Sequence, residues 1–282
     1  MIADLLVGFY RLWHGRLKMR GAGWLLRRAA VGIPGLQSYP LDIPDGTRVD
    51  LDFRDASAWY WMNLSVGDAY FEEEGLRRAI QALIKENSVV WDVGANAGVL
   101  SYVLASSTPP PRELHLFEPN PKVFAIACSG LSRFPFATAH QVGLSNTRAI
   151  MRLTIPSGGS TGGTLTVKRT GRTGEGIDVD CLSGDELVFD KGFNVPDIVK
   201  IDVEGYEPEV LAGLGHVIAT FKPSIFFEHI SLTDAEVNAL VPEGYSIYSV
   251  NDADGSLTEG FDRHAGHNSA LIPMQSHTTI SE

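Results

Sequence analysis

Asp92, Gly94, Asn96 and Gly98 stand at alternate positions in the stretch VVWDVGANAG (89–98), and Glu118 follows 24 residues after Gly94. An apolar run that ends in an acid and then two glycines is the pattern of a buried strand turning into a helix. Glycine at such a turn lets a ligand approach the backbone, and a Cβ there would stand in its way. The free N–H groups at the start of the following helix face the same crevice. Glu118 ends the next apolar run, ELHLFEPNP, at the spacing where an acid meets the hydroxyls of a ribose. Further along, Asp202 closes DIVKIDV, Glu204 follows it, and His229 follows PSIFFE, so three groups able to accept a proton fall at strand ends.

Two cofactor classes use an acid after the second strand to hold a ribose, the dinucleotides and S-adenosyl-L-methionine (SAM). A dinucleotide calls for G-x-G-x-x-G, which sets a pyrophosphate on the helix N-terminus. Here Asp92 stands immediately before the turn, where it would repel a diphosphate and attract the ammonium of an aminoacyl group. The crevice therefore reads as a SAM site.

These residues need a parallel sheet to bring them to one edge. Val89–Val93 reads as a strand, 99–105 as a helix stopped by Pro109, Pro110 and Pro111, and 113–117 as a second strand, a βαβ unit with a right-handed crossover. A helix over 121–131 and a third strand over 140–144 lead to GLSN (143–146). Residues 147–180 then break the alternation, and the strand-like MRLTI, the glycine- and serine-rich PSGGSTGGTLT and a return to Val179 read as a hairpin inserted where it could cover the crevice. Strands over 197–203, 223–228, 245–250 and 268–272, with a helix over 233–240, complete a seven-stranded, mostly parallel α/β sheet with helices on both faces. Ligands bind such sheets outside the carboxyl ends of the strands.

Before this core, LDIPDGTRVDLDFRD (41–55) alternates about a Pro-Asp-Gly turn and reads as a β-hairpin. Glu72, Glu73 and Glu74 read as helix N-terminal acids. Residues 1–40 form a separate, basic extension, the remainder being one domain with its cofactor core over 87–273. Leu5, Leu6, Phe9, Leu12 and Trp13 recur at helical spacing, with Arg11, Arg16, Lys18, Arg20, Arg27 and Arg28 against the single acid Asp4. The stripe suits either a weak contact with a membrane surface or partner, or packing on the domain, which is the commoner use.

The chain has 282 residues, 44% of them hydrophobic, enough for one large α/β domain. A net charge of −11 argues against a general grip on nucleic acid and for a small or neutral substrate. Cys128 and Cys181 are the only cysteines, which excludes a disulfide framework or a paired-cysteine zinc site and fits a reducing cytoplasm. No apolar run reaches the roughly 18 residues needed to span a membrane.

The motifs DVGANAG, FEPNP, GLSN and KIDVEGYEPEVLAGL, in this order and closed by HNSALIP, resemble the FkbM family of SAM-dependent methyltransferases over about residues 40–273. The resemblance implies a class I, Rossmann-like methyltransferase fold and methyl transfer, most often to a hydroxyl of a sugar, polyketide or similar metabolite. It further implies that Asp92, Gly94, Asn96 and Gly98 line the methionine part and that Glu118 holds the ribose. Ser145 and Asn146 would lie near the adenine, with Asp202 and Glu204 toward the sulfonium and acceptor. One departure is CLSGDEL (181–187), where Ser183 and Gly184 follow the leucine and Asp185 stands in for a family acid.

Methyl transfer from a sulfonium needs alignment and, for an alcohol, a base; Glu204, His229 and Asp202 are the candidates. Asp202, Glu204, Glu228 and His229 also raise a divalent metal as a lesser reading, and none is assigned. Competing functions are a nicotinamide-dependent oxidoreductase, disfavoured by the missing G-x-G-x-x-G, a non-catalytic SAM-binding module, and an RNA methyltransferase, which the acidic balance weakens.

Overall fold

The computed structural model describes residues 2–16, 22–55, 58–65, 73–156, 164–166 and 174–274. The chain opens with helices α1 (Ile2–Tyr10) and α2 (Ala22–Gly32), joined through a π-helical segment at Arg11–Arg16, and continues into the hairpin β1 (Tyr39–Asp42) and β2 (Arg48–Leu51). The hairpin alternates buried and exposed residues about the Pro-Asp-Gly turn, so Leu41, Val49 and Leu51 enter the core. Helix α3 (Ala58–Ser65) and helix α4 (Glu74–Leu83) follow; Glu74 pairs with Arg77 and Arg78 one turn along, while Glu72 lies outside the described residues.

Strand β3 (Val89–Val93) is buried at all five positions, as a central parallel strand covered on both faces must be. It feeds α5 (Val99–Ala105), β4 (Glu113–Phe117), α6 (Pro121–Leu131) and β5 (Ala137–His140). The third strand thus begins three residues before its expected place. The chain then leaves the main sheet, and the short β6 (Gly143–Leu144) pairs elsewhere. The expected insertion is built from β7 (Ala149–Pro156), β8 (Thr164–Thr166) and β9 (Gly174–Leu182), which with β6 form a second, four-stranded sheet in the order β6-β9-β7-β8. The glycine- and serine-rich residues 157–163 lie outside the described residues.

Helix α7 (Gly184–Phe189), β10 (Ile198–Ile201), α8 (Glu207–Gly213), α9 (Gly215–Phe221), β11 (Ser224–Glu228), α10 (Asp234–Ala239), β12 (Tyr245–Val250), β13 (Leu257–Glu259) and β14 (Asn268–Pro273) complete the chain. Over the described residues the main sheet has eight strands in the order β13-β12-β14-β11-β10-β3-β4-β5. Strands β11, β10, β3, β4 and β5 are parallel, and β14, β12 and β13 are added antiparallel. The eighth strand, β13, lies in the 251–267 stretch that carries no period-2 apolar signal; its Leu257, Thr258 and Glu259 are half-buried or exposed, as an edge strand allows.

Two apolar layers cover the sheet. On one side the N-terminal elements join α4, α5 and α6, with Val7, Tyr10, Leu26 and Ala30 sharing a core with Trp61, Tyr102 and Leu131. Trp61 anchors this layer. Its indole N–H donates to the Ala97 carbonyl at 3.1 Å, its ring meets Tyr102 edge-on at 5.1 Å, and a Cβ on Gly130 would lie 2.3 Å from it. On the other side Trp91, Phe117 and Phe227 pack with the insertion and with α8 and α9. Asp185, the acid in the departing CLSGDEL stretch, accepts the N–H groups of His216 and Val217 and so caps α9.

Trp61→Ala removes a fully buried ring and its hydrogen bond, and should cost about 3–5 kcal/mol in urea unfolding. An unfolding curve unchanged by the substitution would contradict this anchoring.

Candidate active site

The carboxyl ends of β3, β4 and β10 open into a crevice that is in turn open to solvent. Val93, Gly94 and Asn96 form its floor, and Phe117, Glu118, Pro119 and Asn120 one wall. The loop Asp202–Glu204 forms the opposite wall, and Gly143, Leu144 and Leu153 close one side. Leu153 belongs to the inserted sheet, so the insertion does reach the crevice.

The turn after β3 is set by chain packing as well as by access. Gly94 has φ +75°, and a Cβ on it would lie 1.8 Å from the Asp202 carbonyl oxygen; a Cβ on Gly98 (φ +77°) would lie 2.8 Å from the Ala127 Cβ. Both glycines are therefore required by neighbouring backbone and helix, a reason beyond the ligand approach expected from sequence. Asn96 takes the left-handed conformation between them (φ 52°). The first residues of α5 do not line the crevice.

Glu118 joins two turns. Its Oε2 accepts the Asn96 N–H at 2.9 Å and its Oε1 the Asn120 N–H at 2.7 Å. The residue is only 8% exposed yet lines the crevice, so each oxygen keeps a lone pair for a donor inside it. Burial outweighs these hydrogen bonds and pushes its pKa up to about 7. Beside it Asn120 Oδ1 caps α6, while Asn120 Nδ2 and Asn96 Oδ1 are buried without a partner among the described residues. Buried polar atoms are otherwise paired, so these two are suited to a polar ligand.

Asp92 is placed differently. It is fully buried behind the turn, accepts the Ser101 hydroxyl at 2.6 Å, faces Lys200 Nζ at 3.2 Å, and does not line the crevice. Lys200, on β10 directly opposite Asp92, also reaches Asp202 at 3.5 Å and the Gly94 carbonyl at 3.2 Å. Burial works against its charge, but Asp92 and Asp202 outweigh burial and raise its pKa. Sequence reading gave Lys200 no role, although a lysine inside the apolar run DIVKIDV signals a buried partner.

The Asp202–Glu204 loop is held from beneath by Glu207, whose Oε1 accepts the N–H groups of Val203 and Gly205 at 3.1 Å each. Glu204 adopts φ 56°, a conformation that is costly outside glycine. Glu228, at the end of β11, has its pKa raised by burial and by Asp202, Glu204 and Glu207.

Ser145 and His229 turn inward. Ser145 Oγ lies 3.0 Å from the Tyr206 hydroxyl and 3.4 Å from Asn146 Oδ1, and neither Ser145 nor Asn146 lines the crevice, unlike the preceding Gly143 and Leu144. His229 is 1% exposed, its Nδ1 3.0 Å from the Ser269 hydroxyl and its ring edge-on to Phe261. Of the three candidate bases, the structure brings Asp202 and Glu204 to the crevice and leaves His229 behind it. Among the described residues no three His, Cys, Asp or Glu side chains converge to hold a metal ion.

The family model of the methyltransferase FkbM domain matches residues 92–259, from Asp92 through β13. The chain belongs to the FkbM methyltransferase family. It is thus a SAM-dependent methyltransferase with a class I α/β fold, and the nicotinamide-dependent alternative is set aside. Its similarity to the hexuronic acid methyltransferase AglP of Haloferax volcanii is 29% identity over 172 residues, 61% of this chain and 68% of that protein. Among solved structures it is similar to methyltransferase FkbM from Methylobacillus flagellatus, at 16% identity and TM-score 0.47, over 78% of this chain and 56% of that one. It is also similar to precorrin-6y C5,15-methyltransferase from Geobacter metallireducens, at 13% identity and TM-score 0.41, over 72% of this chain and 87% of that one.

For an FkbM methyltransferase the donor set of the crevice fits SAM: an acid with two available lone pairs, two unpartnered amide atoms, and apolar Phe117, Leu144 and Leu153 beside them. Gly94→Ala tests the packing argument. Positive φ and the 1.8 Å approach to Asp202 should together cost roughly 2–5 kcal/mol in chemical unfolding, and an unshifted midpoint would contradict it.

Proposed function

We propose that this methyltransferase methylates a hydroxyl oxygen of a small, neutral, sugar-like or polyketide-like metabolite. The observation that carries the reading is the pairing, in one crevice, of a ribose-type acceptor site at Glu118 with the acidic Asp202–Glu204 loop on the opposite wall. In this reading Glu118 accepts both ribose hydroxyls, the adenine rests on Leu144 with Phe117 and Leu153, and Asn96 and Asn120 supply the flanking amide contacts. SAM supplies a methyl group on an electrophilic sulfonium. Gly94 leaves room for the aminoacyl end, and Asp92 acts one step back, by holding Lys200. Ser145 and Asn146 shape the adenine side through Gly143 and Leu144, which precede them.

Glu204 is the preferred general base, because it lines the crevice in a conformation that the Gly205 turn and Glu207 maintain. It takes the proton of the acceptor hydroxyl as the oxygen attacks. The hexuronic acid methyltransferase supports a sugar-type acceptor. A uronate would meet like charge here, since Asp202 and Glu204 face the acceptor end, so a neutral acceptor fits better.

Two results are expected. Glu204→Gln should lower kcat by about 10²–10⁴ while leaving affinity for S-adenosylhomocysteine near wild type, and near-normal turnover would remove Glu204 as the base. Binding of S-adenosylhomocysteine should depend on the ionisation of Glu118. Ribose hydroxyls donate to the carboxylate, so Kd should be flat above pH 7 and rise as pH falls below about 7, by up to about tenfold per unit. Glu118→Gln should weaken binding and flatten that profile. A wild-type profile flat from pH 8 to pH 5.5 would contradict the assignment.

A further inference from the structure

The acidic balance of the chain is not evenly spread. Residues 1–30 hold six cations, Arg11, Arg16, Lys18, Arg20, Arg27 and Arg28, against the one acid Asp4, in a protein whose net charge is −11. The same segment also carries a dense group of exposed apolar side chains. Ile2, Leu5, Phe9 and Leu12 are 46–69% exposed, and Leu25 and, just beyond residue 30, Val31 are exposed on α2; elsewhere in the described chain the exposed large apolar side chains are Ile150, Ile230, Met274 and the stacked pair Phe189 and Phe221.

Their spacing explains how one helix serves two surfaces. Val7 and Tyr10 face inward, the Tyr10 hydroxyl donating to Asn63 at 3.0 Å and its ring meeting Trp59 at 5.5 Å. Ile2, Leu5, Phe9 and Leu12 recur every three or four residues on the other side, and Phe9 packs edge-on to Trp13 at 4.8 Å. The sequence left a choice between a helix packed on the domain and a helix for a membrane or partner. The inner face does the first and leaves the outer face exposed.

We propose that the outer face of α1 and α2 is a docking surface for an anionic lipid bilayer. The occupant follows from charge: an apolar stripe bordered by cations matches an interface of acyl chains below anionic headgroups, and the acidic remainder of the protein is repelled from that interface. Arg28 is exposed and Arg27 half-exposed on α2, between the exposed Leu25 and Val31 in sequence, while Arg11 is half-exposed with its guanidinium donating to the Asp42 carbonyl at 3.3 Å. Docking of this kind is peripheral, since no helix among the described residues is long and apolar enough to cross a membrane. It places the enzyme where a hydroxylated acceptor carried on a lipid would be presented. The docking claim itself does not depend on the proposed acceptor.

The test is co-sedimentation of the full chain with vesicles of phosphatidylcholine alone and of phosphatidylcholine with about 30 mol % phosphatidylglycerol. Binding is expected to the anionic vesicles, at least about tenfold above the neutral ones, and to fall steeply with added salt. Leu5→Asp with Phe9→Asp should abolish it, and Arg27→Glu with Arg28→Glu should reduce it at least about tenfold. Both pairs lie outside the crevice and should keep the affinity for S-adenosylhomocysteine, which reports a folded core. No binding to anionic vesicles, or equal binding by the Leu5 and Phe9 variant, overturns the proposal. So does a dimer in light scattering that this variant dissociates without any vesicle binding, which would assign the face to a second copy of the chain.

Discussion

A single buried cation holds the crevice together. Lys200 stands in the middle of β10, 3% exposed, between Asp92 on β3 and Asp202 at its own strand end, with the Gly94 carbonyl as a third partner. A buried charge is tolerated only when paired, and removing one partner of such a set typically costs about 3–5 kcal/mol because the other is left uncompensated. The consequence is geometric. The turn after β3 and the loop after β10 are the floor and one wall of the crevice, and Lys200 fixes the distance between them without entering it.

The opposite wall is fixed by a second acid under strain. Glu118 spends two hydrogen bonds on the backbone of Asn96 and Asn120, yet its pKa still rises to about 7 because burial dominates. A free carboxylate in that state gains more from an incoming pair of hydroxyl donors than an exposed one would, since the ligand completes a solvation that the fold leaves partial. Gly94 fits the same scheme. The backbone carbonyl of Asp202 comes so close to it that only glycine is admitted, and floor and wall meet there. Crevice shape, electrostatics and packing are thus settled by one small group of residues.

Much of the fold was legible in the sequence, and the exceptions have physical causes. Helices 99–105 and 121–131 were readable to the residue because Gly98 and the Asn120-Pro121 pair fix their starts. The strand at Ala137–His140 was displaced to 140–144, because ATAH has little apolar contrast while the better apolar signal at Gly143–Leu144 belongs to another sheet. Edge strand β13 leaves no mark in the sequence for want of a buried face. In the site, strand-end acids were legible because an acid closing an apolar run has few other uses. Side-chain direction was not. Asp92, Ser145 and His229 stand at the expected strand ends but turn into the protein, toward partners on β10, at the residue before α8 and on β14 that lie far away in sequence.

The most direct test of this account is calorimetric titration of Lys200→Met with S-adenosylhomocysteine, beside the wild type. Methionine matches the four-atom apolar stem of lysine but lacks its ammonium, and so leaves Asp92 and Asp202 unneutralised at the junction of floor and wall. If the buried cation organises the crevice, affinity should fall by about a hundredfold or more although Lys200 does not line it. A folded Lys200→Met protein that binds within about threefold of wild type would show that the crevice is held open by something other than this charge.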